Sequence, residues 1–175
     1  DGIPPWDDDR WPAERKWKPS DEKDWRSMFP DQFFVEFART VAWGNQPTAH
    51  ALKPEHVTDP KFAPEYRFML ETAKFYAANR EFLFDGELRA PGRLTCAVRK
   101  VDFQRRGIYH PAGKYKVVTQ PTLPTVFHNV WKNPDGKVAA ILVNWSDEAQ
   151  DYRLDAPDLS TQGTIPARSY RVVER

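Results

Sequence analysis

The segment GIPPWDDDRWPAERKW, residues 2–17, places three carboxylates between two tryptophans. In an extended chain the side chains of Asp7 and Asp9 share a face and lie roughly 7 Å apart. A carboxylate pair can perform acid–base hydrolysis of a sugar linkage, and Asp-x-Asp oxygens can chelate a hard cation such as Ca²⁺. Asp8, with Trp6 and Trp11 on either side, could instead contact a sugar, because indole rings offer flat apolar faces and carboxylates accept hydroxyl hydrogen bonds.

Geometry and context weaken the first two of these chemistries. Asp7 and Asp9 would approach a substrate from the same side, whereas glycoside hydrolysis needs carboxyl groups on opposite sides of the bond. No glycine-punctuated calcium loop follows them. Two interpretations of the segment stay open, a solvated loop and a sugar-contacting loop.

Composition excludes several function classes. The chain has 175 residues, 26 basic and 25 acidic, so its formal net charge is +1 and it has no strong field to attract nucleic acid or an anionic membrane. No apolar run of about 18 residues is present, so no membrane partner is expected. Cys96 is the single cysteine, which excludes an internal disulfide. Histidine pairs at helical metal spacing and glycine-rich phosphate loops are also missing, so neither a metal nor a cofactor is expected.

The first half of the chain predicts helices. In PDQFFVEFARTVAWG the residues Phe34, Phe37, Ala38 and Val41 fall at helical spacing, with Asp31 before them as a candidate N-cap and Gly44 after them as a stop. The next segment, NQPTAHAL, favours a short strand. A second helix is predicted for PEYRFMLETAKFYAANREFLF. The spacing of its apolar residues predicts a buried face formed by Met69, Leu70, Ala73, Tyr76 and Ala77.

The second half predicts antiparallel strands. RLTCAV places Leu94, Cys96 and Val98 on one face, and a change of phase then predicts a bulge near Arg99 and Lys100. PTVFHNVW and KVAAILVNW flank NPDG, which is typical of a type I turn in a β-hairpin. QDYRL and RSYRVVER add two short strands. Successive strands with turns between them favour a small antiparallel β-sandwich.

Taken together, these elements resemble the carboxyl-terminal end of a bacterial (β/α)8-barrel (TIM-barrel) glycoside hydrolase-like protein. The resemblance rests on a helix, GNQPTAHAL, a long helix and FLFDGELRAP, and on VFHNVWKNPDGKVAAILVNWSDEAQDYRL followed by GTIPARSYRVVER. It implies an α+β chain in two parts. Residues 1–85 would be the last helices and strand of a barrel, and residues 86–175 an accessory β-sandwich.

The resemblance also implies a function, a carbohydrate-active glycoside hydrolase whose partners are a carbohydrate and the remainder of the barrel. A complete barrel needs about 250 residues, and the catalytic groups come from the ends of several strands. The catalytic carboxylates are therefore expected outside this chain, which alone would be inactive. Gln46 and His50, at the active-site end of the eighth barrel strand, join Trp6, Asp8 and Trp11 as expected substrate contacts.

Two other functions remain open. A non-catalytic carbohydrate-binding or interaction module would use exposed tryptophans such as Trp131 and Trp145 as a sugar platform. In a domain that closes an enzyme, the same two rings would be buried by packing, which we consider the better interpretation. A third hypothesis, a structural protein with a helical arm and a sandwich that docks a partner, predicts an exposed apolar stripe on the helix with Phe34, Phe37 and Val41, and hence oligomerisation. The sequence does not fix the sugar, the stereochemistry or the cellular compartment, although secretion would suit the resembled enzymes.

Overall fold

The computed structural model describes residues 30–49, 52–105 and 117–175. Over these residues the chain is α+β, with helices first and antiparallel strands after them. The helices are α1 (Gln32–Ala42), α2 (Pro54–Thr58), a 3-10 turn (Pro60–Phe62), α3 (Ala63–Ala78) and α4 (Arg80–Leu83). The strands are β1 (Glu87–Leu88), β2 (Arg93–Cys96), β3 (Val98–Lys100), β4 (Phe103–Arg105), β5 (Val117–Thr119), β6 (Thr122–Pro124), β7 (Val126–Lys132), β8 (Val138–Asn144), β9 (Gln150–Asp155), β10 (Ser160–Ile165) and β11 (Ser169–Glu174).

The predicted sandwich is formed by two antiparallel sheets, with strand orders β1-β7-β8-β11 and β10-β9-β2. β7 and β8 form the hairpin that NPDG predicted, with the Gly136 amide donating to the Asn133 carbonyl at 2.9 Å. β9 alternates buried and exposed residues because only one of its faces meets the other sheet. Leu142 and Leu154 belong to the core between the sheets.

The helices cover the other face of the larger sheet, so that the described chain has three layers. Ile141 and Val143 of β8 share a core with α1, α3 and α4. With layers on both faces, six of the seven β8 residues are buried, which explains the unbroken AAILVN run. α1 is buried almost all round, since Phe33, Val35 and Ala42 are covered as well as the predicted stripe.

Three sequence predictions about local structure are wrong. Residues 45–49 of the NQPTAHAL segment have no regular structure, and no strand among the described residues pairs with them. The break after RLTC falls at Ala97, where pairing switches from β9 to β6, and Val98 is consequently exposed. In α3 the buried residues are Phe68 and Thr72. Of the predicted face, Met69 and Tyr76 pack partly against the core, whereas Leu70, Ala73 and Ala77 are exposed.

The strand pairs β3–β6 and β4–β5 keep one register. Val98 is opposite Pro124 and Phe103 is opposite Thr119, so both pairs belong to a single hairpin that leaves the sandwich after Cys96. Val101 lies at the base of this hairpin and is buried in the core shared with the helices. The hairpin is therefore anchored to the helical layer.

Candidate functional site

Of the five sequence-predicted substrate contacts, the structure describes Gln46 alone. Trp6, Asp8, Trp11 and His50 lie outside the described residues. Gln46 is exposed and follows the carboxyl-terminal end of α1. The chain enters α1 at its other end, near Pro30. The two ends of this eleven-residue helix are about 16 Å apart.

The two tryptophans that could have formed a sugar platform are buried. Trp145 has no exposed surface and Trp131 only 6%. The indole Nε1 of Trp145 donates to the Pro124 carbonyl at 2.7 Å, and both rings belong to the core shared with the helices. The expectation that these residues pack rather than bind is confirmed.

The outer face of the smaller sheet carries no aromatic side chain. Arg153 and Gln162 lie opposite each other there, next to hydroxyl–carboxylate pairs formed by Thr164 with Asp151 and by Ser160 with Asp155. Among the described residues, the exposed large aromatic side chains are Trp43 and Phe84, both on the helical layer. Where the structure describes it, the outer face of the smaller sheet thus lacks the flat apolar rings on which sugars stack.

A cluster of charged side chains joins four remote segments of the chain, and we call it the arginine cluster: Asp31, Arg99, Asp147, Glu148 and Arg168. Arg99 Nη1 donates to Asp147 Oδ1 at 2.8 Å and lies 3.7 Å from Asp31 Oδ2. Arg168 Nη2 lies 3.4 Å from Asp31 Oδ1, and its Nη1 donates to the Trp145 carbonyl. Glu148 completes the set, with its Oε2 3.8 Å from Arg99 Nη2.

Aromatic rings lie beneath both guanidinium groups of the arginine cluster. The guanidinium carbon of Arg168 is 3.3 Å from the ring centre of Phe34, at the start of α1, and the two side chains form a cation–π pair. The guanidinium carbon of Arg99 lies 5.6 Å from the centre of the Trp145 ring. The cluster therefore packs onto the helical core as well as pairing its charges.

The electrostatics of the arginine cluster indicate a structural role. The hydrogen bond from Arg99 lowers the pKa of Asp147, and burial lowers the pKa of Arg168. Every guanidinium has a carboxylate partner, so neither is free to hold a substrate anion. No nucleophile is paired with a base within the cluster. It can fix segments of chain relative to one another.

The described histidines and the cysteine form no catalytic or metal-binding arrangement. His128 Nε2 lies 3.0 Å from the Pro91 carbonyl, and burial lowers its pKa. His56 Nδ1 accepts from the Lys53 amide at a helix start. Cys96 is half-buried and lies 4.0 Å from the Val126 carbonyl. Within residues 30–49, 52–105 and 117–175, no group of three potential ligands is placed to hold a metal ion.

Sequence reasoning missed the arginine cluster because its members are far apart along the chain. Asp31 and Arg168 are 137 residues apart. The sequence marks Asp31 only as the candidate N-cap of the first helix, and no motif marks Arg168. No helix in the described part of the chain has the length and apolar character needed to cross a bilayer.

Comparison with known protein families, with curated protein sequences and with solved structures gives no match to this chain.

Proposed function

We propose that this chain is the carboxyl-terminal portion of a carbohydrate-active glycoside hydrolase. In this proposal α1 and α3 are the last two helices of a (β/α)8 barrel, and the strands from β1 onwards form an accessory sandwich that packs on them. The catalytic carboxylates are supplied by parts of the barrel outside this chain. Trp6, Asp8, Trp11, Gln46 and His50 remain the proposed substrate contacts.

The observation that carries the proposal is the parallel packing of α1 and α3. Near their starts, the ring centres of Phe34 and Phe68 are 5.2 Å apart. Near their ends, the hydroxyl of Tyr76 is 3.4 Å from the Gly44 carbonyl. Helices joined by a short turn pack antiparallel, whereas neighbouring helices of a barrel run parallel because a strand lies between them in the chain. Here residues 43–62 make the connection; residues 45–49 have no regular structure in this chain, and in the proposal they would become the intervening strand only beside the rest of the barrel.

The surface of α3 gives further support. Its buried residues Phe68 and Thr72 face the larger sheet, whereas Leu70, Ala73 and Ala77 form an exposed apolar stripe on the opposite side. Leu70 is 38% exposed. A helix with apolar residues on two opposite faces is typical of an element that is covered on both sides. Remaining barrel elements would provide the second cover.

The sandwich contacts the helices as an accessory domain would contact its barrel. Trp131 and Trp145 contribute their rings to the shared core, and the Asn129 side chain donates to the Ala42 carbonyl at 2.9 Å, at the end of α1. Buried aromatic rings and a satisfied hydrogen bond favour a permanent contact over a mobile one. The sandwich would therefore serve to stabilise the barrel.

A non-catalytic carbohydrate-binding or interaction module is the alternative. One observation favours it, the exposure of two aromatic rings at neighbouring positions. Trp43 is 56% exposed and Phe84 is 62% exposed. Trp43 precedes Gly44 and Phe84 follows Leu83 in the chain. The backbones of Gly44 and Leu83 are close together, since a Cβ added at Gly44 would lie 3.1 Å from the Leu83 carbonyl oxygen. Such a pair could stack on a polysaccharide.

Two measurements separate the proposals. The glycoside hydrolase proposal predicts that the reading frame continues upstream of Asp1 with six further strand–helix units. It also predicts no turnover of aryl glycosides by the purified chain. Turnover that Asp7→Asn or Asp9→Asn abolishes would overturn the placement of the catalytic groups outside it.

The module proposal makes a different prediction. A panel of soluble polysaccharides should quench tryptophan fluorescence in the wild-type chain, and Trp43→Ala should remove that response. Trp145→Phe is the matched control, because the buried ring of Trp145 has no exposed surface for a ligand. Quenching that persists in Trp43→Ala contradicts the use of this aromatic pair.

A further inference from the structure

We propose that Asp31 and Arg168 are positioning residues, which fix the amino-terminal end of α1 and the chain entering at Pro30 against the sandwich loop 145–148. The inference does not depend on the glycoside hydrolase proposal. It rests on the geometry of the arginine cluster, in which a helix start and a turn between two strands are joined across the layers.

The backbone of Arg168 carries the first argument. Its φ is +50°, and it is the one described residue other than glycine with a positive φ. This left-handed conformation strains a residue that has a Cβ, so glycine would be the relaxed choice in this turn. A side chain at this position therefore indicates a role that offsets the strain.

The surroundings of the Arg168 side chain supply that role. Its guanidinium stacks on the ring of Phe34, bonds the Trp145 carbonyl and faces Asp31. Its backbone amide donates to the Ser146 carbonyl at 2.9 Å. One residue thus contacts both the first turn of α1 and the loop that follows β8.

Asp31 carries the second argument. It occupies the N-cap position of α1, where an aspartate side chain normally accepts from the amides of the first turn. Its side chain makes no such bond, and its backbone is helical, with φ −96° and ψ −17°. Its carboxylate lies instead near two guanidinium groups, of Arg99 and Arg168, and is only 18% exposed. The capping interaction is replaced by contacts to the sandwich.

Hydrogen exchange of the full chain tests the proposal. The variants are Asp31→Asn, which is isosteric, Arg168→Gly, which also relaxes the backbone, and Arg168→Lys, which keeps the charge. Asp31→Asn and Arg168→Gly should accelerate exchange of the amides of residues 35–38 roughly tenfold, as expected for losing a hydrogen bond to a charged group. Peptides from β8 and β9 should keep their wild-type rates. Arg168→Lys should recover part of the protection.

Controls keep the result decisive. Arg153→Ala removes an exposed arginine on the outer face of β9 and should change no region. The double variant Asp31→Asn with Arg168→Gly should exchange no faster than either single variant, because both remove the same contact. Unchanged exchange in residues 35–38 would overturn the proposal. Equal acceleration throughout the chain would overturn it too, since that indicates general stabilisation rather than positioning.

Discussion

The indole Nε1 of Trp145 donates a hydrogen bond to the carbonyl oxygen of Pro124 at 2.7 Å. This bond joins the residue just after β8 to the last residue of β6, beneath α1. It allows a large aromatic ring to be buried completely without leaving its one polar atom unpaired. The ring therefore joins the β3–β6 hairpin, the larger sheet and the helical layer at one point.

Replacing Trp145 should have a large effect on stability. Trp145→Ala removes a fully buried ring, so we expect the free energy of unfolding to fall by about 3–5 kcal/mol. Trp43→Ala is the matched control, because Trp43 is 56% exposed, and it should cost less than about 1 kcal/mol. Urea unfolding followed by circular dichroism measures both. Similar costs for the two variants would contradict the assignment of Trp145 to the core.

Gly44 and Gly136 offer a second matched pair. Both have positive φ, +73° and +89°, so alanine strains the backbone at either position by about 1 kcal/mol. A Cβ at Gly44 would also lie 2.5 Å from the Trp131 ring, whereas at Gly136 the nearest atom is the Lys132 Cε at 3.8 Å. Overpacking of this kind costs a further 1–3 kcal/mol or so.

Gly44→Ala should therefore destabilise the chain more than Gly136→Ala, by roughly that second amount. Thermal unfolding of the two variants side by side gives the comparison. If the two variants lose the same stability, the Trp131 ring can move to accommodate the new Cβ, and it does not hold the end of α1 in place.

Local sequence signals predicted the parts of the fold that local interactions determine. The NPDG turn gave the β7–β8 hairpin, and the spacing of Phe34, Phe37 and Val41 gave α1. The packing between layers was not predictable in this way. α3 carries apolar residues on two opposite faces, so periodicity could not show that Phe68 rather than Leu70 is buried.

The arginine cluster was out of reach for a related reason. Its pairings depend on how the turn before β11 meets the start of α1, and no local pattern encodes that meeting. Arg168 sits in PARS without any feature that separates it from a surface arginine. Of the predicted substrate contacts, Gln46 alone lies among the described residues.

The buried side chain of Asn144 depends on its hydrogen bonds to the loop after β8 and to the turn before β11. Its Nδ2 lies 2.8 Å from the Glu148 carbonyl and 2.9 Å from the Pro166 carbonyl, and its Oδ1 accepts from the Ser146 amide at 2.9 Å. Asn144→Asp places a carboxylate oxygen against those carbonyls and leaves a buried charge without a cation. The cost should be about 3 kcal/mol or more.

An exposed amide provides the control for this change. Gln162→Glu alters the same chemical group on the outer face of β10 and should stay within about 0.5 kcal/mol of wild type. Denaturant unfolding at neutral pH measures both variants. A mild effect of Asn144→Asp would mean that the loop after β8 rearranges to solvate the new charge.

The ionisation of Tyr170 should make the stability of the fold depend on pH in the alkaline range. Its ring stacks against Phe68 and Phe75, with ring centres 5.5 Å and 4.8 Å away, and its hydroxyl meets the Thr72 hydroxyl. Burial raises the pKa of Tyr170 above its ordinary value. The folded state therefore holds this proton more tightly than the unfolded state, and the unfolded state loses it first as the pH rises.

The stabilising contribution of Tyr170 should be fully present below about pH 10, the pKa of an unfolded tyrosine, and should decrease above it. Tyr170→Phe removes the titrating group. It should lower stability at neutral pH, because a hydrogen bond is lost, and should flatten the alkaline decline. Unfolding free energies measured from neutral pH to about pH 11 test the slope, and phenolate absorbance tests the titration directly. An equally steep decline in Tyr170→Phe would show that other groups set the alkaline limit.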